Sequence, residues 1–236
     1  MTERLYLADS RCAEAPARVV ALEPGGVVLD RTPFYARAGG QPGDQGSLRW
    51  AGGEAVVTDT VKGEGDAVLH IIAGEAPRVG EPVTAVLDWP RRHRLMRMHT
   101  ALHLLCAALP GAGVTGGQIG PERSRLDFDL PASPDRGQLE AALAALIAAA
   151  HPVTASWVDE AVLDSNPALV RTLSVQPPRG AGRLRLVRIG AGDPPIDLQP
   201  CGGMHVGSTA EIGALRVGKI ENKGRQNRRI VLELGG

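Results

Sequence analysis

Hydrophobic and polar positions change rhythm along this chain. Through residues 1–89 the apolar runs are short: ARVVALE, GGVVLDRT, GEAVVTDTVK, AVLHIIA and EPVTAVLD are rich in Val, Leu and Thr and separated by Gly, Pro and Asp. Strands of that length with turn residues between them predict a small β-barrel or sandwich. From Arg91 to Leu105 the rhythm becomes helical, because Leu95, Met98, Leu102 and Leu105 recur at intervals of three and four. Arg91, Arg92, Arg94 and Arg97 are expected on the polar side of this helix, and Pro90 suits its first turn.

Beyond the helix, Pro110-Gly111-Ala112-Gly113 marks a stop, and VTGGQIGPERSRLDFDL predicts two strands around a Gly-rich bend. Ser133-Pro134-Asp135 can open a second helix reaching about Ala150. VTASWVDEAVLDS then predicts a strand and a polar turn. RLRLVRIG alternates as a strand should, with Arg183, Arg185 and Arg188 expected on or near one face. IDLQPCGGMHV reads as a strand entering a loop, and IGALRVGKIENKG and RRIVLEL as two strands joined by a basic turn. The expected architecture is α+β: a small N-terminal β-barrel over residues 1–89, then an α+β domain over 90–236 with an antiparallel sheet and helices.

Composition narrows the classes of function. With 236 residues and 43% hydrophobic side chains there is material for real cores. LEAALAALIAAA, the longest apolar run, is too short to span a bilayer, and the N-terminus lacks a signal core. Three cysteines cannot form a disulfide framework and suit a reducing cytosol, so a cytoplasmic location is expected. Aromatic residues at 3% argue against a stacking platform for single-stranded nucleic acid. The zero net charge hides an asymmetry. Residues 1–89 carry 8 basic and 13 acidic side chains, a net of −5, while 90–236 carry 18 and 13, a net of +5. A modest positive excess in the second part could meet a phosphate backbone.

Three stretches carry candidate chemistry. His99 and His103 stand at i and i+4, which stacks two imidazoles on one helix face, a usual half-site for zinc and also a common accident. About a hundred residues later Cys201-Gly202-Gly203-Met204-His205 brings a thiol and an imidazole around a flexible Gly-Gly, and the two pairs together would make a closed tetrahedral set. The residue after His99 is Thr100, not Glu, so the metalloprotease pattern is absent. Cys106 lies on the same helical face and reads as a small core residue. Upstream, RTPFYARAGGQPGDQGSL holds Gly39, Gly40, Pro42 and Gly43 within six positions, which predicts a shaped loop or a plain β-turn.

FYARAGGQPGDQG, HTALH and CGGMHVGSTAEIGALRVGKIENKGRQNRRI together resemble the alanyl-tRNA editing proteins, in particular the medium-length stand-alone AlaX form, and the editing part of alanyl-tRNA synthetase. The resemblance spans most of the chain. Ala36, Arg37 and Ala38 depart from the family's usual residues before the glycines. What the resemblance implies is an N-terminal β-barrel followed by a zinc-binding α+β editing domain, and a deacylase that hydrolyses the ester of mischarged tRNA(Ala), chiefly serine and also glycine. One Zn2+ per chain would be held by His99, His103, Cys201 and His205.

An aminoacyl ester is already reactive, so such a site has chiefly to hold the 3′ end, position water and stabilise an oxyanion. Whether zinc takes part or only shapes the site stays open, because four protein ligands close a site and an activated water needs an open position. Gly202 and Gly203 are candidates for backbone contact with the substrate. Thr115 and Gln118, with Thr100 behind them, are candidates for bonding the serine hydroxyl, since alanine would leave such groups unpaired. Lys223, Arg225, Arg228 and Arg229 are the expected tRNA contacts. Two other classes fit the same motifs: a non-catalytic zinc-dependent RNA-binding module, and a zinc hydrolase of a small metabolite.

Overall fold

The computed structural model describes residues 1–173, 180 and 182–235. The chain falls into two compact units, Met1–Arg94 and Leu95–Gly236. The first holds β1 (Glu3–Arg4), β2 (Glu14–Glu23), β3 (Gly26–Leu29), β4 (Arg31–Thr32), β5 (Gly46–Trp50), β6 (Gly53–Lys62), β7 (Val68–Ala73) and β8 (Pro82–Leu87). Six of these close into a barrel in the order β2-β3-β7-β6-β5-β8, every pair antiparallel. Closure follows from strict alternation: along β2 Ala15, Ala17 and Val19 point inward while Glu14, Pro16 and Arg18 face solvent. Val27, Leu29, Phe34, Leu48, Val57 and Ala85 fill the interior.

The Gly-rich stretch is a loop between β4 and β5, and its glycines are used by the barrel itself. Ala38 and Gln41 exchange backbone hydrogen bonds of 3.2 and 2.9 Å around Gly39 and Gly40, both at positive φ, which is a tight two-residue hairpin turn. Gly43 packs against β6 so closely that a Cβ would lie 2.0 Å from the Thr60 carbonyl oxygen.

Helix α1 runs from Trp89 to Ala108, capped by the Asp88 carboxylate, which accepts from the Arg91 amide at 3.0 Å. Arg92 does not lie on a solvated side as expected. It is fully buried, its guanidinium on the Asp44 carboxylate and its remaining donors on the carbonyls of Pro33 and Ser10 at 2.8 and 3.1 Å. Burial from Leu95 to Cys106 extends around nearly the whole helix rather than along one stripe; only Arg97 is part-exposed.

The second unit continues with β9 (Gly113–Gln118), β10 (Arg123–Asp129), α2 (Arg136–Ala148), β11 (Val153–Asp159), the single-turn α3 (Val162–Ser165), β12 (Arg183–Ile189), β13 (Asp197–Pro200), β14 (Leu215–Asn222) and β15 (Asn227–Leu234). They form two antiparallel sheets, β14-β15-β10-β9 and β11-β12-β13. Asp135 opens α2 by accepting from the Gln138 amide at 2.8 Å. The arginines of β12 do not share a face: Arg183 is exposed, Arg185 is buried and Arg188, of opposite parity, is part-exposed. No described helix is long and apolar enough to cross a membrane.

Candidate metal centre

His99 and His103 project from consecutive turns of α1, and the loop leaving β13 brings Cys201 and His205 to them. One ligand atom from each of the four lies within 4.8 Å of all the others. The Cys201 Sγ is 3.5 Å from His99 Nε2 and 3.3 Å from His205 Nε2. A tetrahedral ion with bonds of about 2.3 Å to sulfur and 2.0–2.1 Å to nitrogen has an S···N edge of about 3.6 Å. These two S···N edges match that figure to within a few tenths of an ångström, and the cluster could hold a metal ion. The three imidazoles are buried, with ring centroids 4.3 to 5.4 Å apart.

Backbone contacts shape the ligand loop. Arg185, on β12, donates to the carbonyls of Cys201 and Gly203 at 2.9 and 2.8 Å, and the Cys201 amide returns a bond to the Arg185 carbonyl at 3.0 Å. The Gly203 amide donates to the Cys201 sulfur at 3.4 Å, which favours a thiolate. Burial pushes the Cys201 thiol up, but His99 and His205 beside it outweigh that and hold it well below the usual thiol range. For His103 burial pulls downward, and the hydrogen bonds it donates to Asp197 and Cys201 overcome it to raise the pKa to about 10. His205, desolvated and beside His99, falls to about 3.

Thr100, expected to face substrate, is fully buried, and its hydroxyl is engaged with Met96, His205 and Val206. Thr115 is half-buried on β9 and donates to the Asn227 side-chain oxygen at 3.3 Å; Gln118, at the end of the same strand, is exposed. Gly202 is exposed, has no left-handed φ, and a Cβ there would meet nothing within 4 Å. Cys106 is buried outside the ligand cluster, its thiol pushed up to about 12 by burial.

The basic turn is less uniform than its sequence. Lys223 and Arg225 are exposed, Lys223 pairing with Glu221 at 2.8 Å. Arg229 makes a bidentate pair with Asp127, both bonds 2.8 Å. Arg228 is buried, and its guanidinium staples the turn by donating to the carbonyls of Gly224, Asn227 and Pro131.

Sequence reasoning missed Asp197, Gln199 and Arg185. The signal for the first two was present: positions 197, 199 and 201 share parity, so a strand entering the Cys201 loop puts Asp197 and Gln199 on the ligand side. Arg185 had no signal of its own, because an arginine in an alternating strand ordinarily faces water.

Comparison with known proteins brings three kinds of match. Residues 6–91 match the family model described as tRNA synthetases class II (A), and residues 184–231 match the threonyl and alanyl tRNA synthetase second additional domain. The chain is 36% identical to the alanyl-tRNA editing protein AlaX-M of Methanosarcina mazei, over 99% of this chain and 97% of that protein. It is 37% identical to the AlaX-M protein of Saccharolobus solfataricus, over 98% of each. Against the alanine–tRNA ligase of Pyrobaculum aerophilum the identity is 34%, over 93% of this chain and 25% of the ligase.

Proposed function

The chain belongs to the alanyl-tRNA editing proteins, and from that premise we propose that it is a deacylase hydrolysing the ester of mischarged tRNA(Ala), chiefly the serine ester and also the glycine ester. The observation that carries the proposal is the convergence of three imidazoles and a thiol, all within 4.8 Å, inside the unit that contains the matched synthetase domain.

Zinc is the ion we assign to this centre, because a donor set of one thiolate and three imidazole nitrogens suits it better than hard, oxygen-seeking cations. Bound there, it would supply positive charge for holding the ligand loop or polarising a carbonyl. Gly202 supports a contact surface beside it. Neither its φ nor internal packing demands glycine, so the missing side chain favours close approach of another molecule, such as the terminal ribose, to the backbone. Gly203 is assigned less directly, since its amide already bonds the Cys201 sulfur.

Thr115 is assigned to serine selection. Its hydroxyl proton is given to Asn227, so its oxygen presents lone pairs and would accept from the serine hydroxyl. Gln118 is the second candidate, and Thr100, whose hydroxyl is already engaged with Met96, His205 and Val206, is not assigned a substrate contact. Lys223, Arg225 and Arg229 are proposed to meet tRNA phosphates, with Arg228 holding their turn. With tRNA(Ala) as the proposed substrate, a cytoplasmic location is proposed as well.

The test is incubation of the metal-loaded chain with serine-, glycine- and alanine-charged tRNA(Ala). Release of serine and glycine with alanine spared is expected. Turnover of small esters at equal rates without tRNA would favour a metabolite hydrolase instead.

A further inference from the structure

We propose that Thr100 and Asp197 are positioning residues of the metal centre, each fixing one histidine in the tautomer that presents Nε2 to the ion, and each by a different chemistry. The inference rests on the ligand reading above but not on the identity of the substrate.

A threonine hydroxyl has a single hydrogen to give. The Thr100 Oγ1 lies 2.9 Å from the Met96 carbonyl oxygen, one turn back on α1, and that atom can only accept. The Val206 amide lies 3.3 Å from the same Oγ1 and can only donate. With its hydrogen spent on Met96, the hydroxyl meets its third neighbour, His205 Nδ1 at 3.1 Å, as an acceptor. Nδ1 of His205 therefore carries the proton, and its Nε2 lone pair is left facing the Cys201 sulfur at 3.3 Å. Thr100 is wholly enclosed, so no water competes for these bonds.

His103 is oriented from the other side of the centre. The Asp197 Oδ2 lies 2.7 Å from His103 Nδ1, and a carboxylate accepts, which again puts a proton on Nδ1 and leaves Nε2 as the atom for the ion. The carboxylate is itself held: Gln199 donates from Nε2 to Asp197 Oδ1 at 2.8 Å, and both side chains are buried. A hydroxyl leaves its imidazole close to neutral, whereas a carboxylate makes its imidazole a stronger base toward a cation. One centre thus contains a plain imidazole ligand and a carboxylate-backed one. The arrangement also gives a reason for Thr between the two histidines in HTALH and for Asp four residues before Cys201.

Two readouts test this on the full chain without tRNA. Zn2+ affinity is measured by competition with a chromophoric chelator, and the Co2+-loaded protein reports the ligand field and the thiolate charge-transfer band. Thr100→Val and Asp197→Asn are each expected to lower Zn2+ affinity about 10- to 100-fold, to keep one ion per chain, and to shift the cobalt bands. Thr100→Ser, which restores the hydroxyl, should return close to wild type. Ring-nitrogen NMR of the unmutated Zn2+-loaded chain avoids any folding problem in the variants, and should find protonated Nδ1 and metal-bound Nε2 at both His103 and His205. Metal on Nδ1 at either histidine, affinities within twofold of wild type in both Thr100→Val and Asp197→Asn, or equal losses in Thr100→Val and Thr100→Ser would overturn the proposal. A wild-type chain that binds neither metal would overturn it together with the ligand assignment.

Discussion

Replacing Asp44 by alanine probes what holds the Gly-rich loop in shape. The Asp44 carboxylate is 1% exposed and accepts from the Tyr35 amide at 2.6 Å and from Nε and Nη2 of Arg92, which is itself 0% exposed. In the variant the Tyr35 amide loses its bond to the carboxylate, and a buried guanidinium keeps the carbonyls of Pro33 and Ser10 but no counter-charge from Asp44. Stranding one member of a buried pair costs about 3–5 kcal/mol, against a total stability of about 5–15 kcal/mol for a typical domain. Removing both charges is a different perturbation. The double variant Asp44→Leu, Arg92→Met leaves no orphaned charge, so it should lose less than Asp44→Ala alone even though it changes more atoms. Urea denaturation of the full chain measures both, and limited proteolysis reports whether the loop from Ala36 to Gly43 opens. A loss below about 1 kcal/mol for Asp44→Ala, or a double variant less stable than the single one, would refute this account of the loop.

His70 is fully buried, with Nδ1 donating to the Val27 carbonyl and Nε2 accepting from Thr32, and desolvation holds its pKa at about 4. The unfolded chain protonates near 6.5, so stability present above that pH should fall by about 3 kcal/mol as pH drops to about 4; a pH-denaturation series that is equally steep in His70→Gln would assign the loss elsewhere. Metal uptake should release protons from the ligand set, because imidazoles bind neutral and the thiol binds ionised, so affinity should rise with pH; uptake followed with a pH indicator checks this, and uptake with no proton release would contradict it. His103→Ala and Cys201→Ala should lose metal and activity together, and full occupancy in both would remove them from the ligand set. Thr115→Val should slow serine release by a few-fold to about tenfold, the equivalent of 0.5–1.5 kcal/mol, and leave glycine release unchanged; equal loss on both esters would make Thr115 a packing residue.

How far the sequence carries the structure depends on whether the signal is periodic or paired. Alternation along ARVVALE and GEAVVTDTVK points to strands, and the three- and four-residue spacing around Leu95 to a helix, because burial of one face imposes those periods. The ligand positions stand out for the same reason: i, i+4 on a helix is a spatial statement. Arg92 is the opposite case. In a helix with four arginines it looks like one more solvated charge, and only Asp44, 48 residues upstream, explains its burial. Arg228 misleads similarly, since a run of basic residues does not reveal which one turns inward to satisfy carbonyls. Partnerships across such separations depend on the tertiary fold, and one sequence contains no periodic trace of them.

The central claim is that this chain edits tRNA(Ala) at the centre built by His99, His103, Cys201 and His205. The most direct measurement is the rate of serine release from Ser-tRNA(Ala), compared with alanine release from Ala-tRNA(Ala), for the zinc-loaded chain and for the same chain stripped by chelation. Rapid serine release that disappears on stripping and returns with zinc, with Ala-tRNA(Ala) spared throughout, is the predicted result. Equal rates on the two tRNAs, or serine release by a stripped chain as fast as by the loaded one, would contradict it.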